Sequence, residues 1–239
     1  MRKKSYSPDD LAIGGYTPLT TIDYPGELAA VLFLQGCPWR CGYCQNADLL
    51  PRRRAARMSW SQVRQHLERR RGLVDAVVFS GGEPTIQKAL PAAIDAVHEL
   101  GYKAGLHSAG VCPERLRFLL PRIDWIGLDV KALPEDYAAV TGGSRSAARR
   151  AWDSVDEVLD SGVRHEFRTT LHPLLLDDER LLALGQRLAE RGARRFVIQD
   201  CVLKNSLDPA LRPLAPYRPS SSLLQALEAL FPAFEYRRA

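Results

Sequence analysis

The sequence is organised around a short cysteine-rich stretch, residues 35–44, which reads Gln35-Gly36-Cys37-Pro38-Trp39-Arg40-Cys41-Gly42-Tyr43-Cys44. It directly follows an apolar run, Leu28 to Leu34, of the kind that forms a buried β-strand. The three thiols have the spacing C-x3-C-x2-C, and an odd number of cysteines so close together favours a metal centre over a disulfide framework. Because the whole chain holds five cysteines, a chance grouping of three is improbable.

The spacing also narrows the kind of metal centre. Structural zinc takes four ligands, often in C-x2-C pairs, and no second cysteine or histidine pair follows at a matching distance. Iron–sulfur clusters are held by cysteine thiolates, normally four of them. Three thiolates around a four-iron cluster would leave one iron open to a substrate or cofactor. The stretch therefore predicts a [4Fe–4S] cluster on Cys37, Cys41 and Cys44, with zinc as an alternative.

The composition is that of a folded domain, since 46% of the 239 residues are hydrophobic and 26% are charged. No run of about 18 apolar residues predicts a membrane span, and the basic start leads into Asp9-Asp10, unlike a signal peptide. With an odd cysteine count we expect a cytoplasmic location. Arginine runs at 52–54 and 69–71 could contact nucleic acid. Because no aromatic residues interleave with them, we expect solvated loops and no nucleic-acid partner.

Strand and helix patterns alternate six times. Strands are predicted at 28–34, 75–79, 103–107, 125–130, 164–171 and 195–199, and helices at 59–72, 88–100, from 113 onward, 147–160, 178–191 and 221–230. The absence of hairpin signals favours a parallel sheet with right-handed crossovers. We expect one α/β domain over residues 1–239, either doubly wound or a barrel of fewer than eight units. It would comprise a lead-in at 1–27, a core at 28–200, and a C-terminal loop and helix at 201–239.

Both architectures place ligands at the carboxyl ends of the parallel strands. Polar clusters follow all six predicted strands: the three cysteines, Ser80–Glu83, His107-Ser108, Asp129 with Lys131, Arg168 with His172, and Gln199-Asp200. In the second cluster, Gly81 and Gly82 allow backbone to approach a ligand closely. The Glu83 carboxylate suits an ammonium group, although a tight strand-to-helix turn would have the same composition.

Several of these residues have simpler explanations. Asp129 and Lys131 lie two apart and face the same way on a strand, so they could form a salt bridge. Arg168 lies in a strand expected to be buried and needs an anion, either a bound carboxylate or Asp129. The histidines are expected to be hydrogen-bonded structural groups, and the remaining cysteines buried apolar thiols; these residues are His107, His165, His172, Cys112 and Cys201.

Together the motifs resemble the radical S-adenosylmethionine (SAM) superfamily. Within it they are similar to the glycyl-radical-enzyme activating branch, most closely the activators of anaerobic ribonucleoside-triphosphate reductase. The resemblance is carried by Tyr24-Pro25-Gly26, the stretch from Gln35 to Asn46, the stretch from Phe79 to Glu83, and Leu128-Asp129-Val130-Lys131.

The resemblance implies a partial (β/α)6 barrel similar to a TIM barrel and open on one side. It also implies a [4Fe–4S] cluster on the three cysteines, with SAM binding the fourth iron through its amino and carboxylate groups. Tyr43 would lie near the adenine. The methionine amino end would be held by Ser80, Gly81, Gly82 and Glu83. Asp129 and Lys131 would contact the methionine and ribose portions, and Arg168 a carboxylate.

The implied reaction is reductive cleavage of SAM, after which a 5′-deoxyadenosyl radical removes a hydrogen atom from a glycine of a partner enzyme. A flavodoxin-like or ferredoxin-like protein would supply the electron. Two alternatives stay open. The first is a radical SAM enzyme that acts on another peptide, a tRNA or a small molecule. The second is a non-enzymatic zinc- or cluster-stabilised module that binds nucleic acid through its arginines.

Overall fold

The sheet of this protein, seen in a computed structural model that describes residues 5–52, 56–172 and 176–238, has eight strands in chain order. The strands are β1 (Ile13–Thr20), β2 (Ala29–Leu34), β3 (Ala76–Gly81), β4 (Lys103–Ser108), β5 (Trp125–Asp129), β6 (Arg164–Leu171), β7 (Arg195–Asp200) and β8 (Ala233–Arg237). Strands β2 to β8 run parallel, and β1 is antiparallel to β2.

Helices fill the crossovers between the parallel strands. They are α1 (Trp60–Glu68), α2 (Leu90–Glu99), α3 (Pro113–Leu119), α4 (Tyr137–Thr141), α5 (Arg145–Ser161), α6 (Asp178–Glu190) and α7 (Ser221–Leu230). The Ser59/Gln62 capping box begins α1 as the sequence indicates, because each side chain bonds the other's backbone N–H. The short helix α4 was not predicted. None of the helices described here is long and apolar enough to cross a membrane.

The strand order decides between the two predicted architectures. A doubly wound sheet reverses its strand order at a switch point, whereas here the order follows the chain without reversal. Six crossovers join the seven parallel strands, and within the described residues β1 and β8 form the two unjoined edges. The fold is therefore an α/β partial barrel that is open on one side, as predicted.

Two strands were missed, and both lie at the edges of the sheet. Strand β1, within the segment expected to be a lead-in, carries Gly14-Gly15 and Pro18 and therefore has the composition of a turn. Proline is tolerated on an edge strand because one side of the strand needs no ladder hydrogen bond, and the register of β1 is broken between Thr17 and Thr20. Strand β8 is five residues long and follows α7 closely.

The apolar side chains form two clusters, one on each face of the sheet, because alternate residues of a strand point to opposite faces. Residues such as Ala30, Leu32 and Leu34 join the large core between the sheet and the helices. A second cluster lies on the opposite face of the sheet and consists of Tyr24, Ala29, Val31, Ala76, Val78 and Trp125. Since Ala29, Ala76 and Trp125 are first residues of their strands, this cluster fills the amino-terminal end of the barrel interior. The carboxyl end is left to polar residues.

Candidate functional site

A cavity of about 240 Å³ opens at the carboxyl ends of the parallel strands. Its lining includes every predicted site residue except Glu83, namely Cys37, Cys41, Tyr43, Cys44, Ser80, Gly81, Gly82, Asp129, Lys131 and Arg168. These residues come from strands, and loops after strands, that are far apart in sequence. The tertiary structure thus brings the predicted clusters to one place.

The three cysteines occupy the loop after β2. Cys41 is buried, Cys37 and Cys44 are half-buried, and none is in a disulfide. Burial raises the pKa of Cys37 to about 12 and also raises that of Cys41. Such thiols ionise only when positive charge is close, as a bound metal would provide.

The three thiols fit an iron–sulfur cluster better than a single metal ion. No group of three His, Cys, Asp or Glu side chains in the described part of the chain is arranged to hold one metal ion, and structural zinc would need four ligands. Three free thiols on one cavity wall match the cysteine ligands of an iron–sulfur cluster, which is larger than one ion. Cys37, Cys41 and Cys44 are the residues that would hold it.

A charged triad lines the same cavity as the cysteine loop. Asp129 Oδ1 is 2.9 Å from Arg168 Nη2, and Asp129 Oδ2 is 3.2 Å from Lys131 Nζ. Burial alone would raise the pKa of Asp129, but the charges of Lys131 and Arg168 outweigh it and lower this pKa to about 2. Two cations and one anion leave the triad with a net positive charge, which suits an anionic ligand group such as a carboxylate.

The turn after β3 can be built only with glycine at two positions. Gly81 has φ +113°, and a Cβ there would collide with the Leu34 backbone. A Cβ on Gly82 would collide with the carbonyl of Gly36. Two hydrogen bonds tie this turn to the start of the cysteine loop, from Gly82 N to Leu34 O and from Glu83 N to Gly36 O, both 2.8 Å.

Glu83 is the predicted site residue that does not line the cavity. The side chain is fully buried. Oε1 accepts hydrogen bonds from Thr85 N, Thr85 Oγ1 and Ser108 Oγ, and Oε2 accepts one from Ala109 N at 2.8 Å. Both oxygens are therefore used within the protein, and Glu83 holds the loop after β4.

The other candidates divide between the cavity and the protein interior. His107 lines the cavity, and the ring of His172 contacts that of Tyr43 at a centroid distance of 5.2 Å. His165 bonds the carbonyl of Val163 near the amino end of β6. Cys112 and Cys201 do not line the cavity, whereas Gln199 and Asp200, predicted at the end of β7, do.

Some residues that line the cavity were not predicted to be site residues. Trp39, Gln45, Asn46, Leu50, Ala109 and Thr170 all contribute to the lining. Thr170 could have been found from strand periodicity, since it lies two residues after Arg168 on β6 and so shares its face. The side-chain amide of Gln199 donates a hydrogen bond of 2.9 Å to the Thr170 hydroxyl. The residues of the cysteine loop are placed by loop conformation, which has no comparable period.

The fold and the site define a class: an α/β partial-barrel protein with a thiolate site at the carboxyl ends of its strands. Residues 31–185 match the sequence profile of the radical SAM superfamily. This chain belongs to the radical SAM superfamily.

Curated relatives agree with this membership. A protein of Methanocaldococcus jannaschii, provisionally named a glycyl-radical enzyme activating enzyme, is 27% identical over 215 residues, which cover 84% of this chain and 85% of that protein. The pyruvate formate-lyase-activating enzyme of Clostridium pasteurianum is 28% identical over 165 residues, 66% of this chain and 67% of that enzyme.

Solved structures share the fold. A radical SAM methyltransferase from Sphaerobacter thermophilus superposes with a TM-score of 0.65 at 16% identity, covering 92% of this chain and 68% of that one. Streptococcus suis SuiB bound to SAM gives a TM-score of 0.60 at 15% identity, covering 85% of this chain. This chain spans about half (48%) of that SuiB chain. The cofactors of the family are a [4Fe–4S] cluster and SAM, and the protein is a radical SAM enzyme.

Proposed function

We propose that this protein activates a glycyl radical enzyme, and that its partner is an anaerobic ribonucleoside-triphosphate reductase. The observation that carries the proposal is the similarity to the M. jannaschii protein, which extends over 84% of this chain and 85% of the relative. The pyruvate formate-lyase-activating enzymes of C. pasteurianum and Streptococcus mutans, each 28% identical, support the same reaction class. The assignment to the reductase rests on the sequence motifs quoted above.

The cavity residues suit this reaction in distinct ways. Cys37, Cys41 and Cys44 would hold the cluster, which when bound and reduced supplies the electron that cleaves SAM into methionine and a 5′-deoxyadenosyl radical. The backbone of the turn at residues 80–82, with the Ser80 hydroxyl, would bind the amino end of SAM. Glu83 would contribute by holding this turn and the loop after β4 in place.

The charged triad and Tyr43 would bind the rest of SAM. The surplus positive charge of Asp129, Lys131 and Arg168 would hold the methionine carboxylate and a ribose hydroxyl. The Tyr43 ring, buried with Lys131 Nζ at 5.6 Å from its centroid, offers a flat face for adenine.

The proposal extends to the surroundings of the enzyme. A partner glycine would enter by the open side of the barrel between β1 and β8. A flavodoxin-like or ferredoxin-like protein would deliver the electron. We further propose that residues 1–239 form a single radical SAM domain that works in the reducing cytoplasm, where thiolate ligands and a reduced cluster persist.

The test is radical formation in the partner. The chain is reconstituted anaerobically with iron and sulfide, reduced, and mixed with SAM and the candidate reductase. We expect about four irons per chain, release of 5′-deoxyadenosine, and a glycyl radical signal in electron paramagnetic resonance. The matched control is a reductase whose radical glycine is replaced by alanine, which should give no signal. SAM cleavage without a radical in any glycyl radical enzyme would overturn the proposal in favour of another substrate.

A further inference from the structure

His107 lies at the end of β4, and both of its ring nitrogens have protein partners. Nε2 is 2.9 Å from the backbone carbonyl oxygen of Asp23, and Nδ1 is 3.2 Å from Ser80 Oγ. A carbonyl oxygen can only accept, so Nε2 must carry the ring proton. Nδ1 is then an acceptor, and the Ser80 hydroxyl must donate to it.

The surroundings keep this ring neutral. Burial lowers the pKa of His107 to about 3, and the positive charge of Arg168 acts in the same direction. The charged groups that face the ring are Asp129 from β5, Arg168 from β6 and Arg237 from β8. The Trp125 ring packs edge-on against it at a centroid distance of 5.5 Å. The ring therefore remains an acceptor toward Ser80 at neutral pH.

The hydroxyl of Ser80 has one proton, and this proton is engaged in the hydrogen bond that Ser80 donates to His107. Toward the cavity, which both residues line, the Ser80 oxygen can then act only as a hydrogen-bond acceptor. We propose that His107 is a positioning residue that fixes Ser80 as a hydrogen-bond acceptor for the amino group of SAM. This inference rests on the proposed binding of the SAM amino end by residues 80–82. It makes the site selective for a ligand that presents N–H at this point.

Two conservative substitutions separate this role from a purely structural one. In His107→Asn the amide oxygen can occupy the position of Nδ1 and accept from Ser80, while the bond to Asp23 is lost. In His107→Gln the amide N–H can occupy the position of Nε2 and keep the bond to Asp23, while the acceptor for Ser80 is lost. If His107 positions Ser80, the Asn variant should retain SAM binding better than the Gln variant. If His107 only supports the structure, the Gln variant should retain it better.

The measurement is SAM affinity of the reconstituted, unreduced enzyme by equilibrium dialysis. We expect His107→Gln and Ser80→Ala each to weaken SAM binding about tenfold, the loss of one hydrogen bond, and His107→Asn to stay within about threefold of the parent. The double variant H107Q/S80A should bind no worse than S80A, since the two residues act through one contact. A SAM analogue without the amino group should bind all of these proteins alike. Additive losses, or an Asn variant weaker than the Gln variant, would overturn the proposal.

A second measurement is made on the unsubstituted protein without ligand, and a variant is used only to assign the signal. The chain has five histidines, and 15N-histidine labelling reports the tautomer of each ring. The signal that disappears in His107→Gln identifies His107. In the unsubstituted chain at neutral pH it should show the Nε2–H tautomer, and either an Nδ1–H tautomer or an imidazolium would overturn the proposal.

The inference and the proposed function can fail separately. SAM binding that follows the predicted pattern, without a glycyl radical in any partner, would overturn the proposed function and leave the role of His107 intact. A glycyl radical formed by an enzyme whose SAM affinity is unchanged in His107→Gln would do the opposite.

Discussion

Arg168 and Asp129 face each other across neighbouring parallel strands, with Arg168 Nη2 2.9 Å from Asp129 Oδ1. The register of β5 and β6 pairs the two residues directly. The Arg168 side chain is 10% exposed and that of Asp129 26%. Arg168, the buried arginine predicted to need an anion, therefore has Asp129 as its anion within the protein. Arg168 also lines the cavity.

Removal of Arg168 should destabilise the fold as well as weaken ligand binding. In Arg168→Met, Asp129 loses one of its two cations, and a partly buried charge without its partner costs about 2–3 kcal/mol. We expect that loss in the free energy of unfolding, measured with urea on the protein without SAM. Arg64→Met is the matched control, because its ion pair with Glu68 lies on the exposed face of α1 and should change stability by less than about 0.5 kcal/mol. Equal losses in the two variants would contradict this interpretation of the triad.

Glu83 should matter to the protein before any ligand binds. The carboxylate accepts four hydrogen bonds, so in Glu83→Gln the amide NH2 group would face a protein donor. We expect a loss of about 2 kcal/mol in the free energy of unfolding without SAM. Glu99→Gln, at the exposed end of α2, serves as the control and should be nearly neutral. Unchanged stability of the ligand-free Glu83→Gln variant, together with weaker SAM binding, would restore the direct ligand role that the sequence suggested.

The five cysteines should divide into two functional groups. Cys44→Ser removes a thiolate from the cavity, and we expect most of the reconstituted iron and sulfide to be lost. Cys112→Ser changes a half-buried thiol outside the cavity lining and should leave the iron content at the parental level. The measurement is iron and acid-labile sulfide per chain after anaerobic reconstitution. Retention of full iron by Cys44→Ser would rule out the three-thiolate site.

The neutral state of His107 should be visible in the pH dependence of stability. Its pKa is about 3 in the folded protein, against 6.5 for an ordinary histidine. Below about pH 6.5 the unfolded chain therefore binds a proton that the folded chain does not, and stability falls as the pH falls. Between pH 7 and pH 5 this contributes a loss of about 2 kcal/mol.

The His107→Asn variant isolates this contribution. Its free energy of unfolding should decline by about 2 kcal/mol less than that of the parent between pH 7 and pH 5, because the other titrating groups are common to both proteins. Urea unfolding at the two pH values, without SAM or cluster, supplies the numbers. Parallel declines in the two proteins would show that the ring gains its proton in the folded state.

Local patterns in the sequence were sufficient for the central elements of the fold. Strands such as β2 and β3 are apolar runs bounded by polar residues, and such a run is a property of neighbouring residues. The capping box of Ser59 and Gln62 is likewise local. The edge strands β1 and β8 were missed because an edge strand is defined by the partner on one side, and β1 also carries glycine and proline, which are tolerated there.

The sequence by itself determined the thiolate spacing, the glycines of the turn after β3, and the alternation of strands and helices that makes a parallel α/β fold. These features act over a few residues, where covalent geometry and burial leave few choices. Only the tertiary structure decided that Glu83 turns inward to the loop after β4, that Asp129 pairs with Arg168, and that His107 bonds Ser80. Each of these contacts joins different strands, and the direction of a side chain there depends on the packing of partners distant in sequence.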